Sequence, residues 1–447
     1  MLGQERIRQL AGRILDRSEA DQTEVVILSS DSALTRFANS VIHQNVYETD
    51  AEVRVRAVIG TRIGVATTNN LSEEALAATL ARAIQTARLS PQNPDFKSLP
   101  APQPIPHADA FHPGTADCSP EQRADGVGAI CFQARDAGVV ASGALTTGAT
   151  EIAVANSLGI WAYHPLTQAE INTVIMSDTS AGYASALAID VGELDFEAIG
   201  REALEKCVRS QNPRSLPPGD YPVIIEPYAT QDFLQMMAYT GLSAQAVQEG
   251  RSFMIGKLGQ PIVDARISIW DDGLDPAGIP LPFDFEGVPK QRVDFITRGV
   301  AQGVVYDSYT AGKEPGRAST GHALPAPNPM GPFPVNTFFA PGEASLDEMI
   351  ASTRRGLYIT RFHYTRPVEP KRVTITGMTR DGTFLIENGA IAYPVKNLRF
   401  TQSYLEALNQ VEAIGRDTRL LQAWGLASQS VPALKLAGFN FTGATEF

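Results

Sequence analysis

Apolar positions recur with two different periods along this chain, and the switches between them mark its segments. Gln4–Ser18 has helical spacing and predicts an amphipathic first helix. Glu24–Leu28 is a compact apolar strand, and Thr35–Tyr47 alternates about a turn at Ala38-Asn39-Ser40. Glu52–Ile59 and Arg62–Thr67 flank Gly60-Thr61 as an antiparallel hairpin, with Arg54 and Arg56 on its outward face. Asn70 or Ser72 caps a helix that runs to about Leu89, with Glu73 and Glu74 in its first turn where the helix dipole favours acids. Pro91–Pro120 is dense in proline and reads as an extended connector. A helix over Glu121–Ala137 follows, then strands at Val139–Gly148, Glu151–Asn156, Gly159–Thr167, Glu170–Ser177 and Gly182–Asp190, then a helix over Asp195–Ser210. The pattern contains no convincing internal repeat.

Asn212–Gly219 is polar and proline-rich, and is the expected domain boundary. Beyond it, Tyr221–Glu226 reads as a buried strand stopped by Pro227. Ala229–Leu242 then has helical spacing: Phe233, Met237 and Gly241 on one line, Leu234, Ala238 and Leu242 on the next. Strand-like segments follow at Val263–Trp270, Arg292–Thr297, Gly299–Asp307, Arg372–Thr379, Gly382–Glu387, Ala390–Val395 and Leu434–Phe441, with helices at Leu346–Thr353 and Gln402–Ile414. Proline- and glycine-rich loops lie between them, notably Asp271–Pro289 and Gly321–Pro334. The expected fold class is α+β. A mixed helix and antiparallel-sheet domain over residues 1–212, with the connector at 91–120, precedes a mostly antiparallel β-rich domain with a few helices over 219–447.

The 447 residues suffice for two full cores, and the net charge of −12 repels phosphate backbones, which argues against nucleic-acid binding. No run of eighteen apolar residues is present, and the first residues lack the apolar core of a secretory signal, so the expectation is a cytoplasmic protein without a membrane span. Cys118, Cys131 and Cys207 form no CxxC pair, which suits reduced, buried thiols.

The chain offers little catalytic chemistry of its own. His43, His107, His112, His164, His322 and His363 form no HExxH, and His107 and His112 sit in a proline-bracketed loop. Gly250–Leu258 has one residue too many between its glycines for a phosphate loop, and Leu258 cannot ligate magnesium. Gly126-Val127-Gly128 lacks the third glycine of a dinucleotide fingerprint, and no G-x-S-x-G is present. Two readings of the acidic loop stay open. Asp271, Asp272, Asp284 and Glu286 supply oxygen ligands for a cation, or they are a solvated turn-rich loop. His322, in Ser319-Thr320-Gly321-His322, faces a cleft or lies on a surface loop.

Seven segments in order resemble the TldD/PmbA family, once labelled modulators of DNA gyrase: RFANSVIHQN, GTRIGVATTNNLS, ANSLGIWAY, GDYPVIIEP, the run from Asp271-Asp272-Gly273 through PFDFEGVPKQ to STG, FFAPGEASLDEMIASTRRGLYITRF, and FLIENGAIAYPVKNLRF. In catalytic members the helix after the GDYPV strand carries two metal-ligating histidines and a glutamate base. The resemblance places Gln235 and Thr240 at the histidine positions and Met236 at the glutamate, with Gly241 and Leu242 kept. Gln and Thr are poor ligands for a borderline-soft metal, and Met cannot accept a proton. Catalytic members also supply a cysteine near the C-terminus, where this chain has SQSVPALKLAGFNFTG. The resemblance therefore implies the PmbA/TldE branch: a non-metal subunit of a cytoplasmic peptidase complex that processes peptides or unfolded proteins beside a TldD-type metallopeptidase. It implies no metal, no cofactor and no catalysis by the chain alone. The alternative is a stand-alone homodimer that binds peptides or a small ligand without cleaving them, and a third reading holds a metal elsewhere, at Asp271, Asp272 or His322. Those three residues are the candidates for contact with a peptide in a cleft.

Overall fold

The computed structural model describes residues 1–444. Six strands, β1 (Gln22–Ala38), β2 (Val41–Ile59), β3 (Arg62–Thr68), β4 (Val140–Asn156), β5 (Trp161–Met176) and β6 (Ala181–Ala188), form one antiparallel sheet in the order β3-β2-β1-β4-β5-β6. The four short strands read between Val139 and Ser177 are thus two long ones. Helices α1 (Gln4–Asp16) and α2 (Glu73–Leu89) bracket β1–β3. After the short α3 (Pro113–Ala116), α4 (Pro120–Asp136) and α5 (Phe196–Arg209) bracket β4–β6.

The sheet is therefore two α-β-β-β-α units joined where β1 runs antiparallel to β4, with Glu24 opposite Asn156 and Phe37 opposite Gly143. The sequence hides this repeat because what recurs is a backbone approach and not a residue motif. A Cβ built on Gly64 of β3 would fall 2.1 Å from the Ala83 carbonyl oxygen of α2. One built on Gly182 of β6 would fall 2.0 Å from the Ala203 carbonyl oxygen of α5. Each unit thus presses its third strand onto its closing helix through a glycine. Gly64→Ala and Gly182→Ala are each expected to destabilise the protein by about 2–3 kcal/mol through overpacking against backbone. Gly12→Ala, in a helix interior with open space around it, is expected to be neutral or stabilising. Urea denaturation of the three variants checks the comparison.

The two faces of the sheet bury different partners. One face packs Ile7, Leu10 and Ile14 of α1 and Leu76, Leu80 and Ala83 of α2 against Val25, Ile27, Val53 and Val55. The other packs Val26, Ile152, Val154 and Leu166 against Ile279, Leu281 and Phe283 from the second half of the chain. This contact corrects the reading of Arg56 as an outward residue. It is 9% exposed, and its guanidinium lies 2.6 Å from Glu24 and 3.1 Å from Glu286. Arg54 likewise donates to the Ala326 carbonyl across the same junction.

The second half holds β7 (Gly219–Ile225), α6 (Pro227–Gly241), β8 (Ile269–Asp271), β9 (Val293–Thr297), β10 (Val300–Ala301), β11 (Asn336–Phe339), β12 (Arg355–Glu369), β13 (Thr374–Glu387), β14 (Ala390–Pro394), β15 (Leu398–Ser403), β16 (Val411–Gln422) and β17 (Ser428–Ala444). Because β17 pairs with both β15 and β7, strands β17, β15, β13, β12 and β7 close into a ring. Two pairings, β7 with β12 and β11 with β17, are parallel in this otherwise antiparallel sheet. The helix expected over Gln402–Ile414 is confined to Tyr404–Leu408, and Val411 already belongs to β16. The fold as a whole is α+β.

Candidate functional site

Helix α6 starts where β7 ends. Pro227 occupies its first turn, where a missing N–H costs nothing. Its inner face is apolar: Phe233 stacks on Tyr404 with centroids 3.8 Å apart, and Phe362 and Phe439 complete the aromatic packing. Gly241 is the last residue of the helix, and a Cβ there would fall 2.4 Å from the Phe253 ring.

The three positions singled out by the resemblance point in different directions. Met236 is buried in the main core cluster. Thr240 is buried, and its hydroxyl donates to the Met236 carbonyl at 2.7 Å, one turn back in the same helix. Gln235 is half-buried on the outer face, in line with Gln231 and Tyr239. On that face Gln231 Nε2 donates to the Gln422 carbonyl at 2.6 Å, and Gln168 of β5 reaches the Gln422 side chain. Tyr239 meets Trp424 edge-on at 5.7 Å, and Trp424 stacks on Phe333 at 6.2 Å. The sequence pattern gave no signal for this convergence, since Gln422 and Trp424 lie almost two hundred residues beyond the helix.

These residues do not fit a catalytic metal. A thioether packed in the core, a hydroxyl committed to its own helix and one amide cannot replace two imidazoles and a carboxylate. Among the described residues, no three His, Cys, Asp or Glu side chains gather as a cation site.

A polar network ties the start of α6 to the first half of the chain. Glu226 accepts from Tyr358 at 2.6 Å and pairs with Lys206 of α5 at 2.6 Å. Lys206 also pairs with Glu202 at 2.7 Å, which in turn receives Arg419 at 2.9 Å.

Asp232, also on α6, has a different setting. Thr365 and Tyr404 donate to its carboxylate. Burial pushes its pKa up to about 6, and those two hydroxyl bonds offset only part of the shift. A carboxyl raised in the folded state holds a proton that the unfolded chain has released, so its contribution falls as pH rises from about 4 to about 6. Asp232→Asn is therefore expected to stabilise the protein by about 1–2 kcal/mol at pH 7 and to flatten stability across that window. Urea midpoints at pH 4.5 and pH 7 check this.

The structure divides the acidic loop among separate partners. Asp271 and His322 come together: His322 Nε2 lies 2.8 Å from Asp271 Oδ1, and Nδ1 lies 2.9 Å from Thr320 Oγ1. The second Asp271 oxygen accepts from the Asn336 N–H at 2.8 Å. Both side chains are 0% exposed, so they brace the loop from inside and present no surface to a cleft in this conformation. Burial lowers the His322 pKa, which favours the neutral ring. Asp272 instead accepts from the Leu274 N–H at 3.0 Å. Asp284 accepts three backbone N–H groups, from Glu286, Val288 and Ala323. Burial, reinforced by Glu286, still pushes its pKa up to about 7. Glu286 turns to Arg56.

Known proteins resemble this chain in sequence and in fold. The family model of the PmbA/TldA metallopeptidase C-terminal domain matches residues 218–443, and that of PmbA/TldA metallopeptidase domain 1 matches residues 23–87. A metalloprotease of Methanothermobacter thermautotrophicus is 30% identical over 53% of this chain and 52% of its own length. A TldD homolog of Haemophilus influenzae is 26% identical over 54% of this chain and 51% of its own. The chain thus spans about half the length of these curated relatives. The metalloprotease PmbA of Escherichia coli O157:H7 is 24% identical over 95% of this chain and 94% of its own. Two solved structures share the fold: TldE from Thermococcus kodakarensis (TM-score 0.88, 20% identity, 98% of this chain and 99% of that one), and a protein of Thermotoga maritima described as a modulator of a DNA gyrase (TM-score 0.87, 20% identity, 98% and 100%).

Proposed function

The chain belongs to the PmbA/TldD metallopeptidase family, and we propose that within it this protein is the subunit without the metal, a TldE-type partner of a TldD-type metallopeptidase. One observation carries the reading. The helix that would bear the metal site is packed into the core through Phe233, Met236 and Met237, and the Thr240 hydroxyl is committed to the Met236 carbonyl. The scaffold is present and the chemistry is not. The contribution to proteolysis is then to complete a chamber or cleft that holds an extended peptide, with the reacting groups supplied by the partner. The outer face of α6, with Tyr239, Trp424 and Phe333, offers aromatic surface for such a peptide.

Affinity capture from an extract of the native cells tests the partnership. The expected co-purifying protein is a TldD-type chain that carries the histidines and glutamate lacking here. Recovery of this chain alone, as a homodimer on gel filtration, would instead support the stand-alone binding protein.

A further inference from the structure

The two α-β-β-β-α units leave equivalent stretches of strand without a neighbour in the sheet, and they treat them differently. β6 pairs with β5 only over Ala169–Met176, and β3 pairs with β2 only over Val53–Ile59. The leading half of each second strand is therefore an edge. On β5 that edge is blocked in part. Pro165 removes one donor, the Thr167 N–H donates to the Ala110 carbonyl of the extended connector at 2.8 Å, and the His112 N–H donates back to Thr167 Oγ1. On β2 the matching stretch, Val41–Glu52, has neither device. Among the described residues no strand pairs with its outer side. It contains no proline and no lysine, and Val41 and Tyr47 are 58% and 64% exposed. Folded proteins block such edges because bare ladder groups recruit another strand.

We propose that the β2 edge over Val41–Glu52 is a docking site for an extended, basic segment of another polypeptide, added to the sheet as a seventh strand. The precedent for an extended occupant is within the molecule, since its own connector bonds the equivalent edge of β5 at Thr167. The charge follows from Glu48, Asp50 and Glu52. Only Glu52 has a cationic partner, Arg54, while Glu48 and Asp50 are exposed without one among the described residues. A second copy of this chain would bring the same three acids against these, whereas lysines or arginines on an incoming strand neutralise them. Backbone pairing supplies affinity with little demand on sequence, and the acids select the sign of charge. This surface is separate from α6 and does not depend on the function proposed for it.

The test uses the full chain and a fluorescein-labelled peptide that alternates lysine with valine and threonine, at low salt. Amide hydrogen exchange is expected to show alternate residues of Val41–Glu52 slowed about tenfold on saturation, since only every other N–H faces the added strand. The double variant Glu48→Lys/Asp50→Lys should melt with the wild type, because both side chains are exposed, and should bind the peptide about tenfold more weakly. Equal binding of a peptide with glutamate in place of lysine would overturn the proposal. So would an absence of protection in Val41–Glu52. Protection that appears without peptide and grows with protein concentration would also overturn it, in favour of self-pairing.

Discussion

Arg56→Met is expected to lower the stability of the protein by about 3–5 kcal/mol at pH 8, among the largest effects of any single change in this chain. The guanidinium is the common partner of Glu24, on the neighbouring strand, and Glu286, from the second half of the chain. Removing it leaves two buried carboxylates with no cation between them. The loss should shrink at acid pH. Burial already raises the Glu24 pKa to about 7, Arg56 notwithstanding, so below that value the carboxyl can take up a proton and no longer requires the arginine. Denaturant titrations at pH 5 and pH 8 read both the size and the direction. Equal stability of variant and wild type at pH 8 would show that the pair does not join the two halves of the chain.

Met236→Glu is expected to cost about 2–4 kcal/mol at pH 7, because a carboxyl is placed where a thioether now fills the core. The folded state would hold that carboxyl protonated, so the penalty grows as pH rises above about 4 and is least at acid pH. The same substitution is part of the triple change Gln235→His, Met236→Glu and Thr240→His, which restores two histidines and a glutamate to α6. Weak metal binding and little or no peptidase activity are expected from it. Gln235 faces outward while Thr240 is enclosed, and the residues around these positions have packed for other side chains. Robust cleavage by the triple variant would show that the helix alone had been lost as a catalytic element.

What the sequence made legible follows physical lines. α6 was readable to within two residues at either end, because its apolar lines, the preceding proline and the closing glycine act locally. The turn at Asn39-Ser40 was readable for the same reason, since both residues adopt positive φ in a tight hairpin. β16 was not, because Val411–Gln422 is rich in good helix formers and is a strand only through its pairing with β17. Nor was the burial of Arg56. Strand alternation places its side chain on one face of the sheet but cannot say that Glu286, more than two hundred residues later, covers that face. At the candidate site, the residues at the three α6 positions could be named from sequence alone. That Thr240 bonds its own helix and Met236 joins the core required the fold.

The most direct test of the central claim is cleavage of an unfolded peptide by three samples: this chain, a TldD-type metallopeptidase from the same cells, and the two mixed in equal amounts, each resolved by gel filtration. This chain is expected to cleave nothing, the mixture to yield a stable complex, and its rate to be at least about tenfold above that of the metallopeptidase alone. A metallopeptidase that is equally active by itself, with no complex formed, would contradict the claim.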